Sequence, residues 1–204
     1  MNKLVAEQLL DIKALQIQAD PEDYFTWTSG ILSPIYCDNR LSMSFPSVRK
    51  NIVKAFVKII EENQIEIDVI AGCATAGIPH AAFLAEELDL PMVYVRSDKK
   101  AHGKGNQIEG VVHKGQKVLV IEDLISTGGS AINVAKVLEE AGASVSSILA
   151  IFTYKLKKAE DNFKKANFSY QTITNFDDIV ELLTDKEDIS PLQKGELLSW
   201  RNEL

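Results

Sequence analysis

The chain has 204 residues, with 22 Lys and Arg against 29 Asp and Glu, giving a formal net charge of −7 at pH 7. Its 46% apolar and 25% charged content is that of an ordinary globular protein, and at about 150 residues per domain the length predicts one core domain with an attached substructure. No apolar run approaches the ~20 residues that cross a bilayer, Glu7 and Gln8 arrive too early for a secretory signal, and the acidic balance disfavours a protein that coats nucleic acid. A cytoplasmic protein with neither membrane nor nucleic acid as partner is therefore expected. Cys37 and Cys73 lack C-x-x-C spacing or a neighbouring His, which predicts free thiols rather than a zinc site or disulfide framework.

Val5, Leu9, Ile12 and Leu15 recur at helical spacing ahead of Pro21, predicting an N-terminal amphipathic helix. Turn signals at Ser29-Gly30 and Ser33-Pro34 precede a second helical pattern through Ile52, Val53, Phe56, Ile59 and Ile60. The pattern then changes to short apolar runs at 67–71, 91–95, 117–121 and 145–152, each predicting a buried strand. Helical patterns over 78–88 and 131–140 separate them, the second closed by Ala141-Gly142 as a C-cap. Alternating strand and helix predicts a mostly parallel sheet flanked by helices. Residues 108–112 with the Lys114-Gly115 turn predict an antiparallel excursion. Beyond Tyr154 come a lysine-rich helix, a short strand at 172–174 and a polar C-terminal helix.

The most informative segment runs from Val118 to Ser130. A buried strand leads to Glu122 and Asp123, after which Leu124, Ile125, Ser126, Thr127, Gly128, Gly129 and Ser130 pass into a helix. Ligands of open α/β sheets sit beyond the carboxyl ends of strands. Backbone N–H groups, two hydroxyls and a helix N-terminus together suit a phosphate monoester. Taken alone, the same residues also read as a capped surface turn. Neither G-x-x-x-x-G-K-[ST] nor G-x-G-x-x-G occurs, which disfavours nucleoside-triphosphate cradles and dinucleotide folds. A second segment places Arg96, Lys99, Lys100, His102 and Lys104 on a polar stretch with glycines at 103 and 105. It reads as a cationic loop suited to folding over a polyanion.

The 118–130 segment resembles the phosphoribosyl-pyrophosphate signature of type I phosphoribosyltransferases, and 94–110, with His-Gly-x-Gly followed by Ile-Glu-Gly, resembles the catalytic loop of the orotate phosphoribosyltransferases within them. Residues 70–80 are similar to the family's pyrophosphate loop, with Ala76 where certain members have Lys, and residues 25–38 are similar to the hood over the base. The resemblance implies the type I phosphoribosyltransferase fold over residues 1–204, with a hood from about 1–45 and part of the C-terminal region, and a core at about 46–175. It implies Mg²⁺-dependent transfer of the phosphoribosyl group from 5-phosphoribosyl 1-pyrophosphate to orotate, in the biosynthesis of uridine nucleotides. Glu122 and Asp123 would bind the ribose hydroxyls, Asp123 being catalytic, and Leu124–Ser130 would cradle the 5′-phosphate. Lys100, also catalytic, would act with Arg96 and His102 on the other subunit of a homodimer through the 96–105 loop. No protein metal ligand is expected. His80, inside a helical pattern, reads as structural. The competing readings are a purine-type phosphoribosyltransferase and a non-catalytic regulatory protein of the same fold.

Overall fold

Helix α1 (Asn2–Asp11) buries Val5, Ala6 and Leu9, and the chain then turns through Lys13 with φ of 60°. This left-handed residue ends the helix, so Leu15, expected on its apolar face, lies instead in strand β1 (Leu15–Ile17). The structure, a computed structural model, describes residues 2–26, 30, 32–97 and 107–204. A 3-10 turn (Pro21–Asp23) leads to β2 (Phe25–Thr26) and β3 (Leu32–Ser33), which pair with each other, and then to β4 (Ile35–Cys37), which runs antiparallel to β1. A 3-10 segment (Asn39–Ser44) precedes α2 (Pro46–Glu62), whose Ile52, Val53, Phe56, Ile59 and Ile60 are buried as the helical spacing predicts. There follow β5 (Val69–Cys73), α3 (Gly77–Leu88), β6 (Met92–Val95), β7 (Ile108–Glu109), β8 (Lys117–Ile125), α4 (Gly129–Glu140) and β9 (Ser144–Thr153). The chain ends with α5 (Lys157–Ala166), β10 (Tyr170–Asn175), α6 (Phe176–Asp185) and α7 (Pro191–Asn202), two helices where one was expected.

The six-stranded sheet has the order β10-β9-β8-β5-β6-β7 and is parallel except for β7, which returns antiparallel to β6 as the 108–112 segment predicts. Its central strands are apolar on both faces because helices cover both. Leu119, Ile121, Leu149 and Ile151 join the core against α1, α2 and α3, whereas Val118, Val120, Ile148 and Ala150 join the core against α4 and α5. The sequence of pairings reverses direction at the centre: β5 hands the chain outward to β6, while β8 hands it the other way to β9 and β10. This reversal leaves the carboxyl ends of β5 and β8 side by side with their following helices diverging, the crevice where open α/β sheets bind ligands. The C-terminal helix reaches the N-terminal hairpin, the Trp200 indole N–H donating to the Leu32 carbonyl at 3.1 Å. Among the described residues, no helix is long and apolar enough to cross a membrane.

Gly77 marks the closest approach of α3 to β8. A Cβ there would lie 2.4 Å from the Ile121 carbonyl oxygen and 3.3 Å from the Glu122 Cα, both backbone atoms. Gly77→Ala is therefore expected to cost about 1–3 kcal/mol, lowering Tm by roughly 3–10 °C. Gly195→Ala, in α7 with nothing within 4 Å, is expected to leave Tm unchanged or raise it, and calorimetry of the two variants checks the contrast.

His80 on α3 is 1% exposed, its two ring nitrogens have no hydrogen-bond partner among the described residues, and burial holds its pKa down at about 4. The unfolded chain takes up that proton near pH 6.5 and the folded chain only near pH 4, so stability falls as pH drops through this window. The expected loss is about 3 kcal/mol. Thermal melts of the wild type and His80→Leu between pH 7 and pH 4 should show a steeper fall for the wild type.

Candidate active site at the carboxyl ends of the central strands

Two loops leave the centre of the sheet, 74–76 after β5 and 126–128 after β8, and each opens a helix. Neither α3 nor α4 has a side-chain cap or an acidic residue in its first turn, whereas α6 and α7 are closed by capping boxes from Asn175 and Ser190. The first N–H groups of α3 and α4 thus remain without a side-chain cap at neighbouring strand ends, an arrangement suited to a ligand with two separated anionic groups. Gly128 caps α4 with φ of 80°, and Gly129 has open space where a side chain would project. Among the described residues, nothing obstructs the approach to the α4 N-terminus at Gly129.

The acidic pair stands between these loops. Glu122 is 6% exposed; its carboxylate accepts from the Asp123 backbone N–H at 3.0 Å and the Ser130 hydroxyl at 2.9 Å. Burial, then the adjacent Asp123 charge, pushes the Glu122 carboxyl up to about 8. Asp123 is more open and is also shifted upward by burial, against hydrogen bonds that favour its charged form. No Lys or Arg among the described residues makes an ion pair with either carboxylate, although Arg40 lies close enough to lower the Asp123 pKa. Arg40 is held by Asp38, with Nε donating at 2.6 Å and Nη2 at 2.9 Å. Between them in sequence, the fully buried Asn39 donates to the Asp123 carbonyl oxygen at 2.7 Å. The N-terminal segment thus anchors the strand end from across the site.

Strand β8 runs further than its apolar stretch predicts. Leu124 and Ile125 still pair with Phe152 and Thr153 of β9, so the open loop begins at Ser126. Ser126, Thr127, Gly128, Gly129 and Ser130 lie together at the α4 N-terminus, beside Glu122 and Asp123. Arg96 follows β6; its backbone N–H donates to the Gln107 carbonyl and its guanidinium lies 3.6 Å from Glu109. Lys99, Lys100, His102 and Lys104 lie outside the described residues, as do Trp27 and Thr28. Lys155 is occupied by Asp177 at 2.9 Å. Tyr154, 5% exposed, faces the site: burial and then Cys37, Asp123 and Tyr36 hold its phenol protonated. The Cys73 thiol is pushed up first by burial and then by Glu122, and that of Cys37 first by burial and then by Asp123, which leaves both unreactive. Asn39 and Arg40 were not singled out from the sequence. Only the Asp-x-Arg spacing at 38–40 hints at their ordered fork.

The raised Glu122 pKa carries a stability signature. The folded chain retains a proton that the unfolded chain loses near pH 4.5, so this contribution is present below that pH and is lost as pH rises through about 8. Glu122→Gln carries no such loss. Its Tm relative to wild type is expected to rise from pH 5 to pH 9, measured by thermal melts in the absence of ligand.

Residues 45–183 match the family model described as phosphoribosyl transferase domain. The chain is 56% identical to the orotate phosphoribosyltransferase of Oceanobacillus iheyensis over 204 residues, covering all of both chains. Among solved structures it superposes on an orotate phosphoribosyltransferase from Aeropyrum pernix with TM-score 0.77 and 25% identity, covering 91% of this chain and 99% of that one. It also superposes on a UMP synthase from Leishmania donovani with TM-score 0.80 and 24% identity, covering 99% of this chain and 42% of that one, a likeness of fold. The crevice at the sheet reversal, its paired acids and its uncapped α4 N-terminus are accordingly those of a family member, and the chain belongs to the orotate phosphoribosyltransferases of the phosphoribosyl transferase family.

Proposed function

We propose that the crevice binds 5-phosphoribosyl 1-pyrophosphate and transfers its phosphoribosyl group to N1 of orotate, releasing pyrophosphate and giving orotidine 5′-phosphate. The observation that carries this reading is the placement of an acidic pair, Glu122 buried and Asp123 half-buried, between two helix N-termini without side-chain caps at the sheet reversal. A donor with phosphate at one end of a ribose and pyrophosphate at the other matches that order of charges. The N–H groups at 128–130 receive the 5′-phosphate, with Ser126 and Thr127 beside them, and the 74–77 loop faces the pyrophosphate. Leu124 and Ile125 contribute by fixing the strand that launches the loop. Asp123, the more open of the acids, holds the ribose hydroxyls, and Glu122 braces both Asp123 and Ser130 from beneath.

Transfer builds positive charge at the ribose C1′ and negative charge on the leaving pyrophosphate, so the residues act by electrostatic stabilisation rather than covalent attack. Asp123 favours the cationic ribose, and Lys100 with Arg96 and His102 neutralises the leaving group. Mg²⁺ would be held mainly by pyrophosphate and ribose oxygens, with the half-buried Asp123 facing it from the protein side, directly or through water. When bound, the ion offsets pyrophosphate charge. The 96–105 segment serves the site of a second copy, making the active form a homodimer in the cytoplasm, with residues 1–45 and α7 forming a hood over the base.

The purified chain with donor and Mg²⁺ is expected to consume orotate, followed by its ultraviolet absorbance, and to leave uracil, hypoxanthine and adenine untouched. Consumption of a purine instead would overturn the choice of base. Lys100→Ala is expected to lower kcat by about 100-fold or more while donor binding persists. Mixing and refolding Lys100→Ala with Asp123→Asn should restore about a quarter of wild-type activity, since half of the dimers are mixed and each carries one intact site. No recovery would rule out action between subunits.

A further inference from the structure

The 126–128 loop is held from outside the site by helix α5, an element none of the expected site residues includes. The Asn162 side-chain amide donates to the Thr127 carbonyl oxygen at 2.9 Å. One residue on, the Phe163 ring fills the space beside Gly128: a Cβ on Gly128 would lie 2.4 Å from Phe163 Cε2. Phe163 is 2% exposed and stacks on Tyr170 of β10, with ring centroids 4.2 Å apart and planes 27° apart. Gly128 has φ of 80°, the left-handed conformation that begins α4. The two contacts act on adjacent peptide units. Asn162 fixes the orientation of the Thr127–Gly128 peptide through its carbonyl, which also fixes where the Gly128 N–H points. Phe163 closes the far side of Gly128 and keeps the loop from relaxing away from the crevice.

We infer that Asn162 and Phe163 are positioning residues for the phosphate group bound at the 126–130 loop, acting by holding the Thr127–Gly128 peptide with its N–H turned into the site. Losing this bond lets the loop populate other conformations in the free chain, and a binding-competent fraction of about one in five to one in ten weakens affinity by roughly the same factor. Because a 5′-phosphate is held equally in the ground and transition states, losing this bond weakens donor binding and leaves the chemical step alone.

The inference rests on the proposed phosphoribosyl donor, so its test has one arm that needs turnover and one that does not. In steady-state kinetics, Asn162→Ala is expected to raise KM for phosphoribosyl pyrophosphate about five- to tenfold, with kcat and KM for orotate within twofold of wild type. Asn162→Asp, equal in size but without the donor and with a charge against the carbonyl, is expected to raise it further. In the second arm, ribose 5-phosphate raises the Tm of the wild type, and both variants lose most of that shift while their unliganded Tm falls by no more than roughly 2–4 °C. A merely structural role would lower the unliganded Tm and the active fraction but leave donor KM in place. Wild-type KM together with an undiminished ribose 5-phosphate shift in both variants overturns the inference. A wild type that never consumes orotate overturns the donor reading, and the thermal arm then still decides the role of Asn162.

Discussion

Two consecutive carboxylates, Glu122 buried and Asp123 half-buried, stand at the end of the central strand without an ion pair among the described residues, and much of the surrounding architecture follows from holding them there. Burial of an unpaired carboxylate is costly, and two side by side repel each other as well. The structure meets part of this cost with neutral donors. Glu122 takes the Ser130 hydroxyl and the Asp123 N–H, so the acid that is nearly inaccessible is also the one whose hydrogen bonds are supplied from within. Ser130 can serve only because α4 starts immediately after the loop, so satisfying Glu122 and presenting the α4 N-terminus are one geometric requirement. On the other side, α3 approaches β8 so closely at Gly77 that a methyl group would meet backbone, which brings its own N-terminus beside the same acids.

The loops do not hold themselves. Asn39, far away in sequence, grips the Asp123 carbonyl from the N-terminal segment, and Asn162 grips the Thr127 carbonyl from α5. Both are amide side chains donating to main-chain oxygens, one on the acidic pair itself and one on the loop that follows it. Side-chain amides suit this task because they donate without adding charge to a site already governed by charge. Phe163 supplements Asn162 with shape, using a flat ring where Gly128 leaves room for one.

Strand and helix order, the antiparallel return at β7 and the loop that opens α4 were legible from periodicity and small-residue content, since those signals are local. The extent of the elements was less so. Leu15 fits a helical stripe, yet Lys13 reverses the backbone and the residue pairs with Cys37 instead. Leu124 and Ile125 follow two acids, which reads as a strand end, but pairing with β9 carries the strand through them. The supporting residues were the least legible. Nothing in the periods of 39–40 or 162–163 tells which distant carbonyl or glycine they will meet, because these contacts exist only after the sheet has ordered its strands. Helix α5 reads from sequence as a lysine-rich helix, whereas its contact with the loop lies in one amide and one ring.

The raised pKa values of the acids bear on how such a site would use its ligand. In the ligand-free chain the pair is held partly protonated by burial and mutual repulsion. A ligand that brings positive charge to the pair, in the ground state or as charge develops during reaction, removes that penalty and favours the fully ionised form. The interaction is therefore stronger the more positive charge the reacting sugar carries, which is the condition for lowering a barrier rather than only tightening a complex. In the proposed reaction Asp123, open to the crevice and anchored through its backbone carbonyl by Asn39, would deliver this effect without moving. A flexible acid would instead lose part of the gain to reorganisation.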